Sequence, residues 1–122
     1  MELMAHCYHH LWKLPITIVR FFNVYGPAGR PDMMPWQWTY SILEGRELTL
    51  FGAGKLRRDW TYVDDIVAGF MLALDRKLPW EILNLGCGNP VENLRFVEIL
   101  ESLLGKKAKI KDTPTPPSEP IV

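Results

Sequence analysis

The stretch Leu48–Trp60, LTLFGAGKLRRDW, sets a Gly-x-Gly turn, a lysine and two adjacent arginines behind a short apolar run. Glycines let backbone amides approach an anion, and guanidinium forks meet phosphate oxygens bidentately, so the chemistry on offer is phosphate binding. Two familiar phosphate loops fail against it. A P-loop needs a glycine five residues before its Gly-Lys and a Ser or Thr after it; here those places hold Thr49 and Leu56. The dinucleotide fingerprint needs a third glycine to pack helix on strand. Gly52-Ala53-Gly54 offers Arg57 in that place, and Gly86-Cys87-Gly88 offers Val91. Both pairs read as turns at strand ends.

Metal and acid–base chemistry find less support. His6 and His10 are one helical turn apart and His9 lies between them, but no Asp, Glu or Cys nearby completes a ligand set. No metal is expected, and the histidines read as a solvated helix face. Asp64 and Asp65 are adjacent carboxylates whose place before an apolar run suits a helix N-terminus. The five tryptophans are scattered along the chain and read as core and interface residues.

These groups must be positioned by elements whose pattern alternates. Met1–Leu14 reads as a helix with an apolar stripe of Leu3, Met4, Cys7, Tyr8 and Leu11, ended by Pro15. Ile16–Phe22 is almost wholly apolar and β-branched, the composition of a strand buried on both faces. Residues 23–35 are crowded with Gly, Pro, Asn and Asp, a long loop by composition. Trp36–Leu43 fits a helix closed by Gly45, and Leu48–Phe51 a strand. A short strand follows at residues 59–63, then a helix to about Asp75 capped by Asp64 or Asp65. Glu81–Gly86 is a strand ending in a turn, Asn93 caps a helix stopping at Gly105, and residues 107–111 form a last strand. The sequence after it, rich in proline, is expected to be extended or loose. Two segments follow from this: residues 1–112 as the folded region and 113–122 as a Pro-rich tail. Alternating strands and helices make the chain α/β.

At 122 residues the chain suffices for one modest core. Fourteen basic and fourteen acidic residues give zero net charge, which argues against nucleic-acid and membrane-surface partners. No apolar run reaches membrane-spanning length. Two distant cysteines, Cys7 and Cys87, fit a reducing, cytoplasmic setting.

Three motifs carry a family likeness. LPITIVRFFNVYGPAGRPDM, RRDWTYVDDIVAG and ILNLGCGNPVE, in this order, resemble the C-terminal part of extended short-chain dehydrogenase/reductases, above all the NAD-dependent nucleotide-sugar epimerases that act on UDP-glucuronate. ELMAHCYHHLWKLP resembles the segment that follows the catalytic Tyr-x-x-x-Lys of that group. The resemblance implies a partial Rossmann-like sheet joined to the small substrate-binding region of such an enzyme. It implies that Arg58, just before Asp in the RD-aromatic motif, meets the UDP diphosphate, and that Phe51 and Gly52 lie along the uracil. Asn23 matches a substrate-bonding position, although a turn residue reads equally well there. Arg30 matches an arginine near the diphosphate or sugar carboxylate, against a plain solvated arginine. Phe21 and Val24 match positions beside the nicotinamide, against ordinary core residues.

Where the sequence departs from the family matters equally. None of Tyr8, Tyr25, Tyr40 and Tyr62 has a lysine four residues on. The resemblance places that base pair, and the NAD-binding glycine fingerprint, before Met1. The expectation is a third or so of an epimerase: NAD belongs to the full-length family and not to this chain alone, a UDP-sugar binds weakly, and no catalytic residue is present. Self-association, as a homodimer or higher, is expected through the first helix and bare strands. A stand-alone UDP-sugar-binding module, one that completes an active site with a separate N-terminal chain, and a self-associating structural remnant are the other readings. Descent from a dehydratase or decarboxylase stays open as well.

Overall fold

The computed structural model describes residues 1–117. In chain order its elements are α1 (Glu2–Trp12), β1 (Ile16–Phe21), β2 (Asn23–Tyr25), α2 (Met34–Glu44), β3 (Glu47–Phe51), β4 (Arg57–Arg58), β5 (Trp60–Tyr62), α3 (Val63–Asp75), β6 (Trp80–Leu85), β7 (Val91–Glu92), α4 (Asn93–Leu104) and β8 (Lys109–Thr113). They gather into two compact units. One joins Met1–Val24 to Trp60–Cys87, and the other joins Tyr25–Asp59 to the residues from Gly88 onward. Of the Pro-rich tail, the residues after 117 lie outside those described.

The first unit is built on β1 and β6, a parallel pair in register from Ile16 opposite Trp80 to Phe21 opposite Leu85. Side chains alternate across a strand, so these partners sort the two faces. On one face Arg20 binds Glu2 of α1, and Trp80 meets the rings of His6 and His9. On the other, the Phe21 ring lies 6.5 Å from that of Phe70 in α3, and Leu85 packs on Gly69, where a Cβ would come within 3.2 Å of its methyls. The pair is therefore layered between α1 and α3. β1 is nevertheless not buried on both faces as its composition suggested. Ile16–Val19 are half-buried, and Arg20 and Phe21 are exposed. The reason is local: β6 is the one strand hydrogen-bonded to β1 among the described residues, so its other edge and part of each face lack a neighbour. The expected long loop also shortens, because Asn23–Tyr25 form β2, paired with β5.

The second unit holds the well-packed core. Leu48 and Leu50 point inward from β3 while Glu47 and Thr49 point out, the period of a half-buried strand. They meet Trp38 and Ile42 of α2 and Val97 of α4, with Phe96, Leu100 and Leu104 alongside at helical spacing. Ile42, Leu50 and Val97 are the most deeply buried, each supplying about 2 kcal/mol of transfer free energy. β3 pairs in parallel with β8, from Glu47 opposite Lys109 to Phe51 opposite Thr113. α2 starts on Pro35 in its first turn, where no amide is needed, and stops at Gly45 in the left-handed region. α4 stops at Gly105 in the same way.

Two expected caps are corrected. Tyr62 is the N-cap of α3 and Glu92 that of α4, neither with a side-chain cap bond. Asp64 and Asp65 lie inside the first turn, where their charge still favours the helix N-terminus. Asn93 is the first helical residue, buried, with its amide N–H donating to Leu56 O and its side-chain oxygen without a partner. Both helices continue directly from a strand, so the residue in the capping place is an extended one chosen for pairing.

Candidate functional site

The segment that the sequence offers for phosphate, residues 51–58, lies wholly in the second unit. β3 delivers Phe51, half-buried, into a single helical turn, Gly52–Gly54. All three turn residues are left-handed, with φ of 57°, 53° and 72°. Glycine adopts this freely, but for Ala53 it costs about 1–2 kcal/mol. Three contacts hold the turn. Lys55 N donates to Gly52 O at 3.1 Å, and Ala53 N donates to Asp112 Oδ1 at 2.8 Å. Gly54 is buried beneath the start of α4, where a Cβ would fall 2.8 Å from Leu94 Cβ.

After the turn, β4 sets the two arginines apart. It pairs antiparallel with β7, Arg57 opposite Glu92 and Arg58 opposite Val91. Arg57 is exposed, and its Nη2 donates to Pro90 O at 2.8 Å. Arg58 is half-buried, and its Nη1 donates to Arg57 O at 2.9 Å, which folds the guanidinium back over the strand. Phe51, Gly52 and Arg58 thus lie on one continuous strand–turn–strand.

Arg30 belongs to the same unit but to another segment. Its guanidinium binds Asp32 through two bonds, Nε to Oδ1 at 3.0 Å and Nη2 to Oδ2 at 2.6 Å. That direct bonding holds the Asp32 carboxyl below its ordinary range and raises Arg30. The Arg30 side chain is largely exposed, and the Asp32 carboxylate beside it offsets its charge toward an anion. Phe21, Asn23 and Val24 sit in the first unit, at the end of β1 and the start of β2. Phe21 is exposed, and Asn23 and Val24 are half-buried.

Neither Gly-x-Gly turn is a dinucleotide cradle. Such a cradle needs free amides leading into a helix. Gly52–Gly54 leads into β4, and the amide of Ala53 is taken by Asp112. Cys87 N donates to Thr61 Oγ1 at 2.9 Å, Gly88 N donates to Asp59 Oδ2 at 2.7 Å, and β7 follows. Neither of these two turns fits the pyrophosphate of NAD. Among the described residues no His, Cys, Asp and Glu cluster fits a metal, and His6 and His9 meet Trp80 instead.

The structure adds Asp59, Thr61 and Asp112 to the residues singled out from sequence. Asp59 and Thr61 are buried polar groups at alternate positions of an otherwise aromatic stretch, and that alternation was the available signal. Asp112 had none, because 59 residues separate it from Ala53.

Residues 1–86 match the model of the family described as NAD dependent epimerase/dehydratase. The chain is 50% identical over 109 residues to the UDP-glucuronate 4-epimerase of Thermodesulfobacterium geofontis, covering 88% of this chain and 33% of that protein. In structure it is similar to UDP-glucuronic acid 4-epimerase from Bacillus cereus in complex with UDP-glucuronic acid and NAD, with a TM-score of 0.90 at 37% identity, covering 98% of this chain and 38% of the other. A dTDP-glucose 4,6-dehydratase from Bacillus anthracis in complex with NAD is similar at a TM-score of 0.82 and 30% identity, over 94% and 37% of the two chains. The chain spans about a third of the length of these relatives.

Proposed function

Since the chain belongs to the NAD dependent epimerase/dehydratase family, we propose that it is the nucleotide-sugar-holding part of a UDP-glucuronate-type epimerase and holds its ligand through residues 51–58. The observation that carries this reading is the division of labour between the arginines. Arg57 points away to Pro90, and Arg58 is drawn half-buried against the strand that follows the turn. A guanidinium restrained in that way loses less freedom on meeting a diphosphate than a solvated one, and its fork suits two phosphate oxygens. Phe51 and the turn after it supply an apolar edge for the uracil. Asn23, Phe21 and Val24 serve the sugar and nicotinamide side of the full-length family, and Arg30 the diphosphate or sugar carboxylate.

The chain by itself does not epimerise and does not hold NAD. It has no tyrosine followed four residues later by lysine, and in its glycine turns the amides of Ala53, Cys87 and Gly88 are already bonded within the chain. A base and a hydride acceptor are what orientation acts upon, and neither is supplied. Its two cysteines are free and exposed, as suits a reducing cytoplasm. The outer face of α1 is the surface for a second copy.

Titration calorimetry with UDP tests the site. Weak binding is expected, with Arg58→Ala weakening it about tenfold, the loss of one charge-assisted bond. Equal affinity in both proteins overturns the assignment of Arg58. Conversion of UDP-glucuronate to UDP-galacturonate by the chain with added NAD overturns the absence of activity.

A further inference from the structure

We propose that Asp112 is a positioning residue for the nucleotide: it locks the Gly52–Gly54 turn in its left-handed form and keeps that turn closed to phosphate. The inference rests on the reading of residues 51–58 as a nucleotide site and deepens it.

Three observations converge on Asp112. In the register of β3 with β8, Asp112 stands opposite Leu50, one of the most deeply buried residues of the core. Asp112 is nevertheless exposed, its carboxylate at the rim of that core and free to reach beyond it. That carboxylate reaches past the end of the strand to Ala53 N at 2.8 Å. The amide it takes belongs to the one residue of the turn that is not glycine and that bears the strain of a positive φ. The continuation of β8 closes in from the same side, since a Cβ on Gly52 would meet Thr115 Oγ1 at 2.6 Å.

The electrostatic result is selective. A left-handed turn with free amides attracts anions, but here a carboxylate already occupies the central amide and repels a phosphate that approaches it. The diphosphate is left to Arg58, four residues beyond the turn, and the turn itself is left to meet the uncharged base. The Gly-x-Gly beside two arginines thus belongs to a phosphate site while binding no phosphate through its own amides.

The test compares Asp112→Ala, Asp112→Asn and Lys111→Ala, a neighbour on the opposite side of β8. UMP and UDP are titrated while the amide resonances of Gly52–Lys55 are followed by NMR. Asp112→Ala should weaken UMP about fivefold, the loss of one exposed amide–carboxylate bond, should weaken UDP less because the repulsion of its second phosphate is lost with the carboxylate, and should speed hydrogen exchange at Ala53. Equal weakening of the two ligands overturns the exclusion of phosphate from the turn. Asp112→Asn keeps an acceptor oxygen and should restore most of both. Arg58→Ala should weaken UDP more than UMP, which separates the phosphate end from the base end. Unchanged binding in Asp112→Ala, when the unaltered chain binds and Arg58→Ala weakens UDP, overturns the positioning role and leaves the site reading intact. Failure of the unaltered chain to bind either nucleotide overturns the site reading and the role of Asp112 with it.

Discussion

At the scale of single residues, Ala53 shows how a position can be held against its own preference. Its φ of 53° lies where a Cβ crowds the following carbonyl. Replacing it with glycine removes that crowding and leaves the amide free to bond Asp112. Ala53→Gly should therefore stabilise the chain by about 0.5–1 kcal/mol, read as a rise in the thermal midpoint by circular dichroism. Gly54 answers the other way, since a Cβ there meets Leu94 Cβ at 2.8 Å and Leu94 N at 3.0 Å. Backbone cannot step aside as a side-chain tip can, so Gly54→Ala should cost about 2 kcal/mol or more in urea unfolding. Both glycines were legible as turn residues from their spacing. The carboxylate that fastens the turn was not, because strand register brings Asp112 there and no local pattern encodes register.

At the scale of elements, helix ends were legible where glycine marked them and illegible where a polar side chain seemed to. Gly45 and Gly105 both stand left-handed after the last helical residue. Asp64, Asp65 and Asn93 are good capping residues by type, but a strand leads straight into each helix and puts Tyr62 and Glu92 in the capping place. α4 has instead a charged fastening at its far end. Glu101 accepts from Lys107 Nζ at 2.7 Å and from Ala108 N at 2.8 Å, which ties the helix to the approach of β8. The Lys107 bond, with the Ala108 amide next, holds the Glu101 carboxyl below the usual carboxylate range. A lowered carboxylate stabilises the fold above the unfolded value and loses that contribution as pH falls through the folded one. Glu101→Gln should thus lower the thermal midpoint at neutral pH, and the gap to the unaltered chain should close as pH falls through the lowered carboxylate range. A gap that persists in acid would show that the tie is not ionic.

At the scale of the molecule, α1 is inside out. Its apolar stripe faces away from the sheet, with Leu3 85% and Leu11 65% exposed, and its sheet-facing side carries Glu2, His6 and His9. The stripe itself was legible from helical spacing, but amphipathic pattern says only that an apolar face exists, not which way it turns. The burial expected for β1 failed for a related reason: composition reports the neighbours a strand is suited to, whereas exposure reports the neighbours it has. This outward stripe is the surface proposed above for a second copy. Leu3→Glu with Leu11→Glu should convert a self-associating chain into a monomer at micromolar concentration by light scattering, and a monomeric unaltered chain would remove the basis for the pairing. The same inversion makes α1 respond to the kind of ion around it. Its hold on its own sheet includes an exposed ion pair, Arg20 with Glu2, which any salt above about 0.1 M ionic strength screens. Its outer face is apolar and is driven from water by sulfate, which is excluded from protein surfaces. Both salts slacken the inner grip by screening, but sulfate also tightens the outer one, so the two faces of a single helix answer added sulfate in opposite senses.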